Sequence, residues 1–444
     1  MVRVAFIGAG STVFARNLIS DLLSYPDLAD SISFALHDID ETRLHTSEIV
    51  AHRIADTMGL STTFDTTTNR KEALNGADFV VTMFQVGGYE PSTVIDFDIP
   101  EQYGLNQTIA DTLGVGGIMR GLRTVPELVK VADDMAEVAG DAIMLNYSNP
   151  MAINMWGLNE MASVEAYGLC HSIPLTAADL AGDLGIPAEE MSYTAAGINH
   201  MAFFLSLEHN GVDQYPLLKS LNTTPAEAPS RGHSGLPDAV RYEIMRHFGY
   251  FVAESSEHFA EYTPWFIKDG RQDLIDTFHI PIREYIRRCK VQNTEWQKLR
   301  KRLEDESEEL ALPQSNEFAP QIIHSMATNT PRTVYTNVAN NGLITNLPDA
   351  CIVEVPTQVS GSGLKPQAVG SLPPQLAAMM QTNINVQELT VAALKTGNRD
   401  HIYHAAMLDP HTAAELDLGQ IHQLVDDLLT AHGSFIPEPL IAPG

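Results

Sequence analysis

Positive charge and cysteine are both scarce in this chain of 444 residues. Lysine and arginine number 27 against 56 aspartates and glutamates, which leaves a formal net charge of −29. A field of that sign repels nucleic acid and anionic membranes, so we expect neither as a partner. The three cysteines, Cys170, Cys289 and Cys351, cannot form a disulfide framework, and their odd number favours a reducing cytoplasm.

Long apolar runs are missing as well. No stretch approaches the roughly 20 residues that a membrane-spanning helix needs. The first ten residues, MVRVAFIGAG, lack the basic region and cleavage site of a secretory signal and are typical of a first β-strand. The composition, 44% hydrophobic and 19% charged, is typical of a soluble globular protein. The length predicts two domains, or one large α/β domain with additions.

Up to about residue 170, continuous apolar stretches alternate with amphipathic ones. The apolar stretches predict buried strands at 2–7, 31–38, 77–84 and 141–148. The amphipathic stretches predict helices after residue 11, over 41–59 with Gly59 at the end, and over 125–140. Strands without polar alternation, separated by helices, indicate a parallel sheet covered on both faces.

The pattern changes near residues 170–190. Residues 191–211 predict a strand or hairpin, and residues 225–240 a connection rich in proline, glycine and serine. The remainder reads mostly as helices, with an extended piece at 350–361. We therefore predict a two-domain α/β protein divided into 1–175 and 176–444.

The stretch IGAGSTVF follows the first strand and opens a helix, the setting that a dinucleotide-binding turn requires. Gly8 permits the tight turn, and Gly10 lets the backbone approach a pyrophosphate at the helix N-terminus. The full GxGxxG is absent because Val13 stands in the third glycine's place. Asp38, ending the second strand, could hydrogen-bond the ribose hydroxyls and would repel a 2′-phosphate, which favours NAD over NADP. An ordinary α/β turn of small residues is the alternative.

Two short motifs contain a cysteine and histidines that could bind a metal or take part in catalysis. GLCHSI places Cys170 beside His171 after an apolar run, and GINHM adds His200. Cys170 and His200 could form a metal pair, although no CxxC or second pair indicates a zinc ribbon. A cysteine nucleophile with a histidine base is a competing hypothesis. An inert buried cysteine and a structural histidine are the third.

Two further stretches carry polar side chains in informative settings. Asn146 and Asn149, in MLNYSNP, would lie near the carboxyl ends of the strands, where such sheets bind ligands. Asn-Pro is also an ordinary turn signal. SSEHFAEYTPWF (255–266) is aromatic and acidic at once. Its aromatics could pack in a core, or Tyr262 could act as an acid or base with Glu257, His258 and Glu261 around it.

Together these motifs resemble family 4 of the glycoside hydrolases, the NAD- and divalent-metal-dependent glycosidases. The resemblance covers essentially the whole chain, from FIGAGSTVF and ALHDID through QVGGYEP, LNYSNPMAIN, GLCHSI, GINHM and SSEHFAEYTPWF to AALKTGNRDHIYHAAMLDP. Cys-His-Ser after the strand is similar to the α-galactosidase (melibiase) branch. The α-glucosidase and α-glucuronidase branches tend to have Cys-His-Gly, and members acting on 6-phosphorylated sugars a different pair followed by proline.

The resemblance implies a Rossmann-type nucleotide domain followed by a lactate/malate-dehydrogenase-like α+β domain, the latter carrying substrate binding, metal binding and oligomerisation. It implies a homodimer or homotetramer acting on a small glycoside. NAD would lie along Gly8, Gly10, Ser11, Thr12 and Asp38. A divalent metal, usually Mn²⁺, would be bound by two residues, with sugar hydroxyls completing its coordination, and these residues are Cys170 and His200. Because Mn²⁺ prefers ligands harder than thiolate, we expect exchangeable metal and an oxidation-sensitive Cys170.

The family mechanism is oxidation followed by elimination, an exception to the two-carboxylate route. The resemblance implies hydride transfer from sugar C3 to NAD⁺, removal of the C2 proton, loss of the aglycone, addition of water and return of the hydride. Tyr262 matches the C2 base, which requires a site that favours phenolate over a phenol of pKa about 10. Asn149 matches a sugar-binding residue, assisted by Asn146. His171 is the first candidate for the leaving-group acid, and Asp111 is the second.

The predicted activity is therefore that of an α-galactosidase. An α-glucosidase, α-glucuronidase or α-galacturonidase is an alternative, the acidic chain making an acidic sugar less attractive. A lactate/malate-type dehydrogenase, which would accumulate NADH, is an alternative from another class, and a non-catalytic NAD sensor is a third. The pair Cys170 and His200 argues against the dehydrogenase, since such enzymes need no metal.

Overall fold

A computed structural model describes residues 1–221, 224–231, 235–305, 307–308, 310–312, 314–315 and 317–441. Within these ranges the strands form one large sheet and two small ones. They are β1 (Val2–Ile7), β2 (Ile32–His37), β3 (Thr63–Thr67), β4 (Phe79–Thr82), β5 (Ile143–Asn146), β6 (Ala166–Gly168), β7 (Met191–Ala196), β8 (Phe203–His209), β9 (Val212–Asp213), β10 (Ser230–Arg231), β11 (Leu236–Pro237), β12 (Phe251–Val252), β13 (Arg332–Ala339), β14 (Ile352–Ser360) and β15 (Gly363–Pro366).

Helices cover both faces of the large sheet and build most of the C-terminal region. They are α1 (Thr12–Leu23), α2 (Pro26–Ala29), α3 (Glu41–Met58), α4 (Arg70–Leu74), α5 (Val94–Gln102), α6 (Gly114–Val138), α7 (Met151–Met161), α8 (Ser172–Leu184), α9 (Tyr215–Leu221), α10 (Ala239–Phe248), α11 (Ser256–Phe259), α12 (Gln272–Thr277), α13 (Glu284–Glu304), α14 (Phe318–Thr328), α15 (Pro374–Thr396), α16 (Asp400–Leu408), α17 (Pro410–Glu415), α18 (Leu418–His432) and α19 (Glu438–Ile441). Single 3-10 or π turns lie at Gly88–Thr93, Ala188–Glu190, Pro225–Glu227 and Gly433–Phe435.

The first six strands are parallel and lie in the order β3-β2-β1-β4-β5-β6. This is the strand order of the doubly wound dinucleotide-binding fold, so the predicted Rossmann-type sheet is confirmed. Every residue of β2, β4 and β5 is buried, as expected for strands covered on both faces. Ligands bind such sheets beyond the carboxyl ends of the strands, so we expect the functional site at that edge of the sheet.

The second half of the chain extends the same sheet. β13 pairs antiparallel with β6, and β14 and β15 continue the antiparallel part. The prediction that this half is mostly helical was wrong for β13, whose residues pair with β6 on one side and β14 on the other. The division at 175/176 stays a prediction, since residues on both sides of it share one sheet.

Most predicted elements agree with the observed ones, with one difference at α6. The strands predicted at 2–7, 31–38, 77–84 and 141–148 contain β1, β2, β4 and β5, and Gly59 ends α3 in a left-handed conformation with φ 69°. The helix predicted over 125–140 begins instead at Gly114. Glycines weaken a helical pattern, but here an added Cβ at Gly116 or Gly117 would lie within 2.6 Å of backbone atoms of residues 110 and 112. The helix therefore begins earlier and packs tightly against that segment.

Residues 191–211 form the antiparallel hairpin β7–β8, as predicted. Residues 225–240 carry a 3-10 turn, the small β10–β11 sheet and the start of α10, while residues 232–234 of this connection lie outside the described residues. The extended piece predicted at 350–361 contains β14. In the described part of the chain, none of the helices has the length and apolar character that a membrane span requires.

Candidate active site

The carboxyl ends of five parallel strands open into one cleft of about 1040 Å³. Each strand delivers one segment to its wall. The lining residues include Gly8 after β1, Asp38 after β2, Phe84 after β4, Asn149 after β5 and Cys170 after β6. Residues far apart in sequence meet here because parallel strands present their carboxyl ends at one edge of the sheet.

At one end of the cleft, Gly8 and Gly10 form a tight turn against Asp38. Gly8 has φ +97°, and a Cβ there would lie 2.9 Å from the Cβ of Phe84. A Cβ at Gly10 would lie 2.7 Å from a carboxylate oxygen of Asp38, which accepts the Gly10 N–H at 2.7 Å. The missing side chain of Gly10 thus makes room for Asp38, besides letting a ligand approach the backbone. The half-buried Asp38 keeps lone pairs that could accept ribose hydroxyls.

The N-terminus of α1 follows this turn and suits an anion. Among the described residues no side chain caps the helix at Ser11, which lines the cleft. Its first N–H groups can therefore bind a pyrophosphate. Thr12 points the other way, because its hydroxyl hydrogen-bonds Ser47 at 2.9 Å inside the fold. The turn, the uncapped helix and Asp38 together fit a dinucleotide.

Three donor groups of different kinds meet deeper in the cleft. Cys170 follows β6, His200 lies between β7 and β8, and Glu254 follows β12. Their ligand atoms all lie within 4.8 Å of one another. His200 adopts the left-handed region with φ 63°, an uncommon backbone conformation for histidine that aims its ring at this point. Thiolate, imidazole and carboxylate together form a donor set that fits a divalent first-row cation.

His200 is held by a partner at each ring nitrogen. Its Nδ1 lies 2.9 Å from the hydroxyl of Tyr262, and its Nε2 lies 3.2 Å from a carboxylate oxygen of Glu254. Burial lowers the pKa of His200, a shift toward the neutral imidazole that a metal ligand must be. Burial opposes the charged form of Glu254, but His200 and His258 outweigh it and hold the pKa of this carboxyl below its usual range.

Cys170 is half-buried, and its thiol hydrogen-bonds Ser172 at 3.3 Å. Burial, followed by the charges of Glu354 and Glu254, raises the pKa of the Cys170 thiol well above its ordinary value. A nucleophilic cysteine needs the opposite shift, whereas a bound cation deprotonates a coordinating thiol outright. Among the three hypotheses for this residue, the surroundings favour a metal ligand over a nucleophile.

Tyr262 contacts the donor cluster through its hydroxyl, next to His200, and has 1% of its surface exposed. Burial raises the pKa of Tyr262 well above 10, and the charges of Asp111, Glu261 and Glu254 add to the shift. The protein's own groups therefore favour the phenol, in contrast to the predicted phenolate. A bound cation is the group that would have to reverse this balance.

Asp111 lies in a second grouping of possible ligands with His200 and His258. It accepts the Thr112 hydroxyl at 2.7 Å and lies 3.4 Å from the Asn149 amide nitrogen. Burial acts to raise the pKa of Asp111, but the nearby Arg120 and the two histidines bring it below its ordinary value. Asp111 is thus held as a carboxylate, which makes it a better acceptor than proton donor.

His171 and Asn149 face the cleft, whereas Asn146 does not. His171 has 51% of its side chain exposed, and its Nδ1 lies 3.3 Å from Glu317. Partial burial acts to lower the pKa of His171, but Glu317 outweighs it and raises the pKa above its ordinary value. The amide of Asn146 is fully buried and bonds Thr82 and Ser148, so it fixes the ends of β4 and β5. The substrate role of Asn146 stays a prediction.

Arg120, Glu254 and Tyr285 line the cleft but were not predicted as site residues from the sequence, and neither was Glu317, which pairs with His171. Glu254 directly precedes the acidic and aromatic stretch 255–266, so extending that stretch by one residue would have found it. Glu317 is the residue directly before α14 and pairs with His171, and no local sequence pattern predicts that pairing. Arg120 lies inside α6, in the part of that helix that the sequence prediction omitted.

Two sequence profiles cover most of the chain. "Family 4 glycosyl hydrolase" matches residues 3–186, and "Family 4 glycosyl hydrolase C-terminal domain" matches residues 195–412. An alpha-galactosidase of Bacillus subtilis (strain 168) is 44% identical over 99% of this chain and 100% of its own length. An alpha-galactosidase of Rhizobium meliloti (strain 1021) is 33% identical over 98% of this chain and 89% of its own.

Solved structures show the same fold at lower identity. The lplD protein of Bacillus subtilis aligns with a TM-score of 0.87 at 24% identity, over 96% of this chain and 99% of its own. A 6-phospho-alpha-glucosidase from gut microorganisms, solved with NAD and Mn²⁺, aligns with a TM-score of 0.82 at 21% identity, over 98% and 99%. Malate dehydrogenase of Plasmodium falciparum aligns with a TM-score of 0.52 at 13% identity, over 90% and 100%, in agreement with the predicted dehydrogenase-like C-terminal domain.

Proposed function

Because the chain belongs to family 4 of the glycosyl hydrolases, we propose that it is an NAD- and Mn²⁺-dependent α-galactosidase. The observation that carries the proposal is a single cleft lined both by the dinucleotide turn at Gly8 and by the donors Cys170, His200 and Glu254. The sugar is inferred from the 44% identity to an alpha-galactosidase over the whole chain.

Tyr262 is the base in the proposed reaction. When bound, NAD⁺ would take the hydride from sugar C3 and later return it, and the divalent metal would polarise the oxygens at C2 and C3. Both would make the C2 proton more acidic. With the bound cation favouring its phenolate form, the Tyr262 oxygen, held at 2.9 Å from His200 Nδ1, would accept that proton and become a phenol.

His171 is the proposed acid for the departing oxygen. It is half-exposed at the cleft, so it can reach a group on the aglycone side, and its ion pair with Glu317 supports the protonated ring. Asp111 is the weaker candidate, because Arg120 and the histidines around it favour its charged form. We assign Asp111 and Asn149 to the sugar hydroxyls, since both line the cleft beside His200.

An uncharged sugar suits the wall formed by α8, α10 and the segment before α10. Arg231 and Arg241 line the cleft there, and each is already paired with carboxylates. Arg231 contacts Asp179, Asp183 and Asp238, and Arg241 contacts Asp179 and Asp238. Among the described residues of this wall, three carboxylates for two guanidinium groups leave neither arginine unpaired for a sugar carboxylate or phosphate. This supports a galactoside over a galacturonide or a 6-phosphorylated sugar.

We also propose a cytoplasmic location and a homodimer or homotetramer. A reducing compartment would protect Cys170, on which the metal depends, from oxidation. Light scattering coupled to size exclusion would measure the assembly.

Release of p-nitrophenol from a panel of p-nitrophenyl glycosides tests the proposal. The purified protein, stripped of metal and nucleotide and kept with a thiol reductant, is assayed with and without NAD⁺ and Mn²⁺. We expect release only with both additives, fastest from the α-galactoside and slower from the α-glucoside, α-glucuronide and α-galacturonide. Turnover that needs neither additive contradicts the proposal. Net NADH formation from a 2-hydroxy acid, without glycoside cleavage, would support a lactate/malate-type dehydrogenase instead.

A further inference from the structure

We propose that Glu254 is a third protein ligand of the divalent metal, beside Cys170 and His200. The inference rests on the metal-dependent function proposed above and goes beyond the pair of ligands that the sequence predicts. If correct, the protein itself offers a sulfur, a nitrogen and an oxygen donor, and the substrate completes the coordination instead of supplying most of it.

The positions of the three residues converge on one point. Cys170 is the second residue after β6 in the large sheet, whereas Glu254 is the second residue after β12 in the small sheet with β7 and β8. His200 lies in the turn between β7 and β8. All three line the same cleft, and their donor atoms lie within 4.8 Å of one another. The three donors therefore come from two different sheets, and all of them line the same cleft.

The separation between His200 and Glu254 fits two ligands of one cation. Bonds from a first-row divalent cation to nitrogen or oxygen are about 2.1 Å long. Two such ligands therefore lie about 3.0 Å apart at a right angle and about 3.4 Å apart at a tetrahedral angle. The observed distance from His200 Nε2 to the nearer Glu254 oxygen is 3.2 Å.

The second oxygen of Glu254 is held in place separately. It lies 3.3 Å from His258 Nδ1 and accepts the N–H of Ser255 at 2.8 Å. One oxygen is therefore fixed by protein donors while the other faces His200 and the cavity. This division is what a carboxylate that binds a metal through one oxygen requires, and ligating carboxylates are commonly supported in this way.

Charge and ligand hardness favour the same arrangement. A thiolate and a neutral imidazole leave a divalent cation with one uncompensated charge, whereas a carboxylate brings the site to neutrality. Oxygen is also the donor that Mn²⁺ prefers, so Glu254 offsets the softness of Cys170.

Metal titration of the full chain tests the proposal without relying on catalysis. The metal-free protein is titrated with MnCl₂, with free Mn²⁺ followed by electron paramagnetic resonance, and with Co²⁺, followed by visible absorption. We expect Glu254→Gln to weaken Mn²⁺ binding more than 100-fold and to change the Co²⁺ ligand-field bands, while the thiolate-to-Co²⁺ band from Cys170 remains. Glu254→Asp, which keeps an oxygen donor, should retain part of the affinity. Circular dichroism and NAD⁺ affinity report whether each variant is folded.

Glu90→Gln is the matched control, because Glu90 also lines the cleft but does not belong to the donor cluster. It should bind Mn²⁺ as the unaltered protein does. Glu254→Gln protein that binds Mn²⁺ within threefold of the unaltered protein would overturn the proposal. A loss of 10- to 100-fold with unchanged Co²⁺ ligand-field bands would also overturn it, since that is the effect of a residue that only orients a ligand. If Cys170→Ala and His200→Ala leave Mn²⁺ binding intact, it is the proposed function that fails, whatever Glu254 does.

Discussion

A buried ion pair beside the cleft offers the strongest stability test of the fold. Arg123 of α6 pairs with Asp96 of α5 at 2.5 Å and 3.2 Å, and neither side chain is more than 2% exposed. His432, at the end of α18, lies 2.8 Å from the same carboxylate. The Arg123 Nε also donates to the carbonyl of Val86, between two residues that line the cleft. Arg123→Met would leave Asp96 buried without its guanidinium partner.

Breaking a buried pair by removing one partner costs about 3–5 kcal/mol. With about 2.1 cal/mol/K of unfolding entropy per residue, a chain of 444 residues has about 0.9 kcal/mol/K at its midpoint. The melting temperature of Arg123→Met should therefore fall by about 3–5 °C. Differential scanning calorimetry at pH 7 measures it.

Arg271→Met is the control for the loss of an arginine. Arg271 pairs with Asp273 at the surface, where both side chains are at least half exposed and solvent screens their attraction. Adding Asp96→Asn to Arg123→Met should recover part of the loss, because it removes the unpaired charge. A shift for Arg123→Met as small as that for Arg271→Met would refute the reasoning.

Four further predictions concern the chemistry and its pH dependence. Tyr262→Phe should lower turnover by about 10²–10⁴-fold with NAD⁺ affinity retained, as measured by steady-state kinetics and nucleotide titration; an unchanged rate would place the base elsewhere. His171→Gln should slow cleavage of an alkyl galactoside far more than that of p-nitrophenyl galactoside, whose leaving group needs no proton, and equal losses would argue against an acid role. Asp38→Asn should weaken NAD⁺ binding and raise the affinity for NADP⁺ relative to NAD⁺, and an unchanged ratio of dissociation constants would contradict the ribose assignment. Burial lowers the pKa of His411 to about 4, so the folded protein binds fewer protons than the unfolded one between pH 6.5 and 4, and stability is lost as the pH falls through this window. Between pH 6.5 and 4 the unaltered protein should lose up to about 3 kcal/mol more of its free energy of unfolding than His411→Gln does. Melting temperatures that fall equally with pH in the two proteins would contradict this.

The nucleotide half of the fold could be predicted because its signals are local. Four continuous apolar stretches became the buried parallel strands, and Gly8 and Asp38 lie where the turn after β1 and the end of β2 place them. In the antiparallel extension, β14 was predicted as an extended piece, but β13 was not. β13 joins the large sheet by pairing with β6, and that pairing brings together residues more than 150 positions apart, Asn337 and Gly168.

The site residues also differ in whether a local sequence signal marks them. Cys170, His171, His200 and Tyr262 were predicted because short motifs surround them. Glu254 and Glu317 were not, because what defines them is a contact rather than a motif. The raised pKa of Tyr262 could not be predicted from the sequence either, since it results from burial and from the carboxylate of Asp111, brought by the fold to the segment that carries Glu254 and Glu261.

The central claim, that the sugar is cleaved by elimination after removal of the C2 proton, is tested most directly by turnover in D₂O. The enzyme, supplied with NAD⁺ and Mn²⁺, hydrolyses an α-galactoside, and the C2 position of the released galactose is examined by NMR. The account predicts deuterium at C2, because a proton removed there is replaced from the solvent. Complete hydrolysis to galactose that keeps its original hydrogen at C2 would contradict it.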